Sequence, residues 1–119
     1  MPLAALVASV AALAPAAPSA AHSLLLGATP AANSVVTASP PTVTLRFNNR
    51  IEKRLSRVRL VDERGAVAAA LIATGAGDAA DNVVAQVPPL APGVWRVEWQ
   101  VFSTDGHVVS GAYAFRLAP

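Results

Sequence analysis

The stretch GVWRVEWQVF, residues 93–102, alternates without a break: Trp95, Val97, Trp99 and Val101 fall on one side, Arg96, Glu98 and Gln100 on the other. A period of two belongs to a strand with one face on a core and the other in water. The same alternation recurs in TVTLRF (Val43, Leu45, Phe47), in SRVRLVDERG (Val58, Leu60, then a turn at Asp62 to Gly65) and in GAYAFRL (Tyr113, Phe115, Leu117). NVVAQV reads as a further strand, stopped by Pro88 and Pro89, which cannot donate to a ladder. GAVAAALIA is too rich in alanine to assign by period, but its place after the turn at Gly65 makes it a hairpin partner. With LLLGA near residue 25, about seven short strands result, with no convincing helix. The expected fold is all-β: a small Ig-like antiparallel β-sandwich or Greek-key β-barrel.

Both tryptophans, Tyr113, Phe102 and Phe115 lie in the last two of these strands. Burying one such ring is worth a few kcal/mol, roughly, so this hairpin is expected to be the best anchored part of the fold.

Residues 1–21, MPLAALVASVAALAPAAPSAA, carry no charge and end in Ser19, Ala20 and Ala21. That is the profile of a secretory signal peptide with an A-x-A-like cleavage site, although the first residues lack the usual Lys or Arg. Pro15 and Pro18 cut the apolar run short of the ~20 residues that a bilayer span needs. Cleavage after Ala21 would make His22 the first residue of an exported, periplasmic domain over 22–119, long enough for one core and too short for two.

The chain has no cysteine, so the domain must hold by packing without disulfides. Arg46, Arg50, Lys53, Arg54, Arg57, Arg59 and Arg64 crowd into one third of it, but Glu52, Asp62 and Glu63 interrupt the run. The expectation is solvated strand faces and loops, not a nucleic-acid site.

Between the two aromatic strands stands STDGHVVSG, residues 103–111, which holds one of only two histidines. Asp105 and His107 are one residue apart, so their side chains leave an extended backbone on the same side, and Gly106 lets the chain bend between them. The pair can be a hydrogen-bonded Asp-His couple, two metal ligands, or unrelated polar residues in a D-G turn. The other histidine bears on the choice. If His22 begins the mature chain, its α-amine and imidazole Nδ1 can chelate one metal ion. With one nitrogen from His107 and one oxygen from Asp105, this makes a three-nitrogen, one-oxygen set, and tetragonal N/O ligation is what Cu(II) prefers.

The sequence resembles the CopC proteins, a family of periplasmic copper-binding proteins. The likeness runs over AHSLLLGATPAANS, PPTVTLRFNNRIE, VRLVDERG and LAPGVWRVEWQVFSTDGHVVSGAYAFRL. Its most specific part is a tryptophan strand running into S-x-D-G-H and then G-x-(Y/F)-x-F, here Trp99, Ser103, Asp105, Gly106, His107, Gly111, Tyr113 and Phe115. The resemblance implies an Ig-like β-barrel that binds one Cu(II) ion through His22, Asp105 and His107. It also suggests a CopD-type inner-membrane copper transporter as partner, necessarily a separate polypeptide. Two features depart from the family pattern. Val108 stands where many relatives have proline, and the sole methionine is Met1, so the methionine-rich Cu(I) loop of some members has no counterpart.

The leading expectation is therefore a copper carrier or buffer and not an enzyme. A copper oxidase of the lytic polysaccharide monooxygenase kind also uses an N-terminal histidine, but it needs an open coordination position, which Asp105 would fill. A metal-free structural or adhesion sandwich is the third alternative, since fold does not fix function.

Overall fold

The computed structural model describes residues 24–74 and 79–119; the expected signal peptide, 1–21, and His22 lie outside the described residues. Eight strands follow in chain order: β1 (Leu25–Thr29), β2 (Val35–Val36), β3 (Thr42–Phe47), β4 (Arg57–Val61), β5 (Val67–Thr74), β6 (Asn82–Gln86), β7 (Gly93–Phe102) and β8 (Val108–Leu117). A 3-10 turn, Lys53–Leu55, precedes β4, and no helix among the described residues is long and apolar enough to cross a membrane.

Two sheets face each other. One holds β1, β3 and β6; the other holds β4, β7, β8 and β2. Strand β5 joins them: it pairs with β4 along Val67–Ile72, while Ala73 and Thr74 pair with β6. In the resulting order, β1-β3-β6-β5-β4-β7-β8-β2, the two end strands do not pair with each other. The expected sandwich is found, and the barrel form of that expectation is left open at one side.

The alternation read from the sequence is the one that fills the space between the sheets. Val43, Leu45 and Phe47 from β3 and Val83 and Ala85 from β6 meet Val58 and Leu60 from β4, Val97 and Val101 from β7 and Phe115 from β8, all of them buried. Leu25, Trp95, Trp99 and Tyr113 pack against this core without being enclosed by it. Among the aromatic residues of β7 and β8 it is thus Phe115 that fills the interior, while the tryptophans and Tyr113 flank it. Trp99 stacks edge-on to Phe47 with ring centroids 6.4 Å apart and leans on Tyr113 at 6.1 Å.

Two elements escaped the sequence reading. Strand β2 is only two residues long and runs parallel to β8, with Val35 opposite Arg116 and Val36 opposite Leu117, so it departs from the antiparallel rule that governs the other pairs. Two residues carry no readable period. The 3-10 turn is likewise too short for a helical one. The GAVAAALIA segment, in contrast, forms the hairpin partner of β4 across a turn in which Asp62 Oδ1 accepts from the amides of Arg64 and Ala66 and Gly65 adopts φ 81°.

Candidate metal centre

Strands β7 and β8 stay in register from Gly93–Leu117 to Phe102–Val108, ten rungs that deliver the STDGH segment to one end of the sandwich. The ladder closes in a tight loop. Ser103 N–H donates to the His107 carbonyl at 2.9 Å, and Gly106 N–H donates back to the Ser103 carbonyl at 3.0 Å. Gly106 has φ 89°, a left-handed conformation open to glycine at no steric cost, which explains the glycine between the two candidate ligands.

This loop brings Asp105 and His107 together. Asp105 Oδ1 accepts from three donors: the Ser103 hydroxyl at 2.5 Å, the His107 backbone N–H at 3.1 Å, and His107 Nδ1, which lies 3.2 Å away. The Ser103 hydroxyl and then the His107 amide hold the Asp105 carboxyl below its ordinary value, because each bond favours the charged form. All three donors use the same oxygen, so these contacts leave Oδ2 out. An imidazole that donates through Nδ1 keeps Nε2 as its acceptor nitrogen. The carboxylate and imidazole are both substantially open to solvent, at 35% and 49% exposure.

The S-x-D-G-H motif by itself gives Ser103 no role. It is 3% exposed, a small polar side chain buried under the loop with its hydroxyl turned to Asp105. Its signal was legible in principle: Ser103, Asp105 and His107 alternate, so they share one side of an extended chain.

The second unread contribution comes from residues 48–52, between β3 and the 3-10 turn. Ile51 forms an isolated antiparallel bridge with Ser103, Arg50 O accepts from Thr104 N–H at 3.0 Å, and Glu52 N–H donates to Phe102 O at 2.7 Å. Ser56, itself buried, accepts from Phe102 N–H and donates to Glu52 O, tying the same ends again. At its other end the segment grips the start of the described chain: Leu24 N–H donates to Asn48 Oδ1 at 2.7 Å, and Asn48 N–H donates to Leu24 O at 3.1 Å. The backbone leading to the D-G-H loop and the backbone two residues after His22 are therefore fastened to one five-residue strap.

Among the described residues no group of three or more His, Cys, Asp or Glu is placed to hold a metal ion. Asp105 and His107 are a pair of donors, and any third must come from elsewhere.

A CopC domain matches residues 25–118. Protein YobA of Escherichia coli strain K12 is 34% identical over 96 residues, spanning 80% of this chain and 77% of that protein. Copper resistance protein C of Pseudomonas syringae pv. tomato is 29% identical over 103 residues, spanning 82% and 81%. Of solved structures, CopC from Methylosinus trichosporium OB3b aligns with a TM-score of 0.79 and 37% identity over 82% of this chain and 95% of that one. PcoC, a methionine-rich copper resistance protein from Escherichia coli, aligns at 0.67 with 27% identity over 81% and 98%. With the domain matched from its first strand to its last, and the S-x-D-G-H loop on the hairpin that ends the sandwich, the chain belongs to the CopC family.

Proposed function

We propose that this protein is a periplasmic Cu(II) carrier or buffer that serves copper homeostasis or resistance, holding one ion through His22, Asp105 and His107. The observation that carries the reading is the strap at residues 48–52, which is bonded both to the D-G-H loop and to Leu24. Two residues of extended chain reach about 7 Å, so a chain beginning at His22 has its amine and imidazole a short step from an anchor that the loop shares. The N-terminal residue would supply the α-amine and Nδ1, the loop one imidazole nitrogen and one carboxylate oxygen. Nitrogen and oxygen donors without thiolate suit Cu(II).

The relatives support copper as the cargo, since the Pseudomonas protein is named for copper resistance. PcoC is described as methionine-rich, whereas Met1 is the only methionine here and cysteine is absent, so a soft Cu(I) site has no ligands in residues 22–119. Asp105 in the fourth position leaves no open equatorial place for oxygen, which favours carriage over catalysis. A CopD-type inner-membrane transporter is the partner this role calls for.

The test is a version of the protein with one extra residue ahead of His22. If the α-amine is a ligand, Cu(II) affinity falls and the electron paramagnetic resonance spectrum changes; an unchanged affinity and spectrum would overturn the ligand set. Mass spectrometry of the exported protein should find His22 first.

A further inference from the structure

The solvent face of the sheet formed by β4, β7 and β8 is concave and basic. Arg57 and Arg59 project from β4 and Arg96 and Glu98 from β7, and Arg54 and Lys53, whose ammonium donates to the Ala79 carbonyl, line the groove of about 1240 Å³ from the 3-10 turn. The floor is low on the β8 side because Ser110 and Ala112 stand opposite Gln100 and Glu98. Long cationic arms on one wall and small residues on the other leave room for a chain to lie between them.

The charge is not balanced within the groove. Among the described residues that line it, Glu98 is the one acidic side chain, and it is shared by two arginines: Arg59 Nε at 2.6 Å and Arg96 Nε at 3.4 Å. Arg54 and Arg57 have no acidic partner among the described residues. Among the described residues, two guanidinium groups on the wall are thus without counter-charge. Guanidinium is the cation best shaped for two-point binding of carboxylates.

We infer that this groove is a docking site for an extended acidic segment of a protein partner. Shape decides against a membrane: a flat anionic surface would meet the arginine rim and leave the floor unfilled, whereas a chain with carboxylates on one side fills both. Binding of this kind gives orientation and speed of encounter more than tightness, as suits a brief contact. The groove also has a useful position. Ser110, on β8, is three residues beyond His107, or about 10 Å of extended chain, so a partner seated there lies beside the D-G-H loop. The inference rests on the charge and shape of this face and stands without any metal.

The experiment uses metal-free protein and a capped hexa-glutamate peptide, with hexa-glutamine and vesicles containing phosphatidylglycerol as the other arms. Backbone amides of Arg57, Arg96 and Ser110 should shift in NMR titration with hexa-glutamate alone, and the effect should fade as salt shortens the Debye length from about 10 Å at 0.1 M to about 3 Å at 1 M. The double substitution Arg54→Glu with Arg57→Glu should weaken binding about tenfold or more. Arg46→Glu, the same charge reversal on the exposed side of β3 in the other sheet, should leave it intact. Shifts that avoid these amides, equal loss in Arg46→Glu, or binding to vesicles in place of peptide would each overturn the inference.

Discussion

Leu24 and Asn48 hold each other through a pair of hydrogen bonds, the Leu24 amide on Asn48 Oδ1 at 2.7 Å and the Asn48 amide on the Leu24 carbonyl at 3.1 Å. One of the two depends on a side chain and can be removed alone. Asn48 is an exposed residue, so Asn48→Ala should cost no more than about 1 kcal/mol of stability. It should free the chain around Leu24, seen as faster hydrogen exchange of the Leu24 amide, and, under the ligand set proposed above, weaken Cu(II) binding because His22 loses its anchor. Weaker binding with unchanged Leu24 exchange would show that Asn48 acts in some other way.

Ser103 carries a second prediction. Its hydroxyl is one of three donors on Asp105 Oδ1, and it is the buried one. Groups that orient a metal ligand typically change affinity by about 10- to 100-fold when removed. Ser103→Ala should reduce Cu(II) affinity by roughly that factor while the domain still unfolds cooperatively in urea. If copper binding holds its strength, Asp105 is oriented well enough by the two donors of His107.

Gly111 is required by packing. It sits opposite Trp99 on the β7–β8 ladder, and a Cβ there would fall within the contact radius of the indole ring. Trp99 cannot swing away freely, since Phe47 and Tyr113 bound it. Gly111→Ala should therefore destabilise by about 1–3 kcal/mol, the usual cost of overpacking, as a lower urea midpoint with a similar slope. The aromatic cluster should report the strain as a change in tryptophan fluorescence.

Tyr113 makes the fold sensitive to alkali. Burial pushes its hydroxyl up to about 12 from an ordinary 10, because the phenolate would lose its water. The native state thus keeps a proton that the unfolded chain releases near pH 10, so stability falls as pH rises from about 10 to about 12. Tyr113→Phe should abolish that fall in thermal melts followed across this range. The Tyr113 hydroxyl has no hydrogen-bond partner among the described residues, so at neutral pH the substitution should be neutral or slightly stabilising.

How much of this was legible beforehand differs from element to element. Strands β3 and β7 were readable to the residue, because alternation over six or ten positions is a local property that needs no partner. The D-G-H turn was readable for the same reason: three adjacent residues, the middle one a glycine, define it. Strand β2 was not, since a two-residue element exists only through β8 beside it. The crossing of β5 from one sheet to the other was equally hidden, because its alanines suit either side.

The candidate site divides along the same line. The sequence determined by itself which donors the chain can offer: two histidines, an aspartate two residues from one of them, no cysteine and no methionine beyond Met1. Those are facts of composition and spacing. Only the tertiary structure decided that Asn48 and Arg50 bind the start of the domain and the D-G-H loop to one strap, and that Ser103 is buried beneath Asp105. Likewise the basic residues that alternate with acids along the chain gather on one face only when β4, β7 and the 3-10 turn are set side by side. Hydrogen bonds and charge patches join residues that are tens of positions apart, and a linear pattern records neighbours in sequence, not neighbours in space.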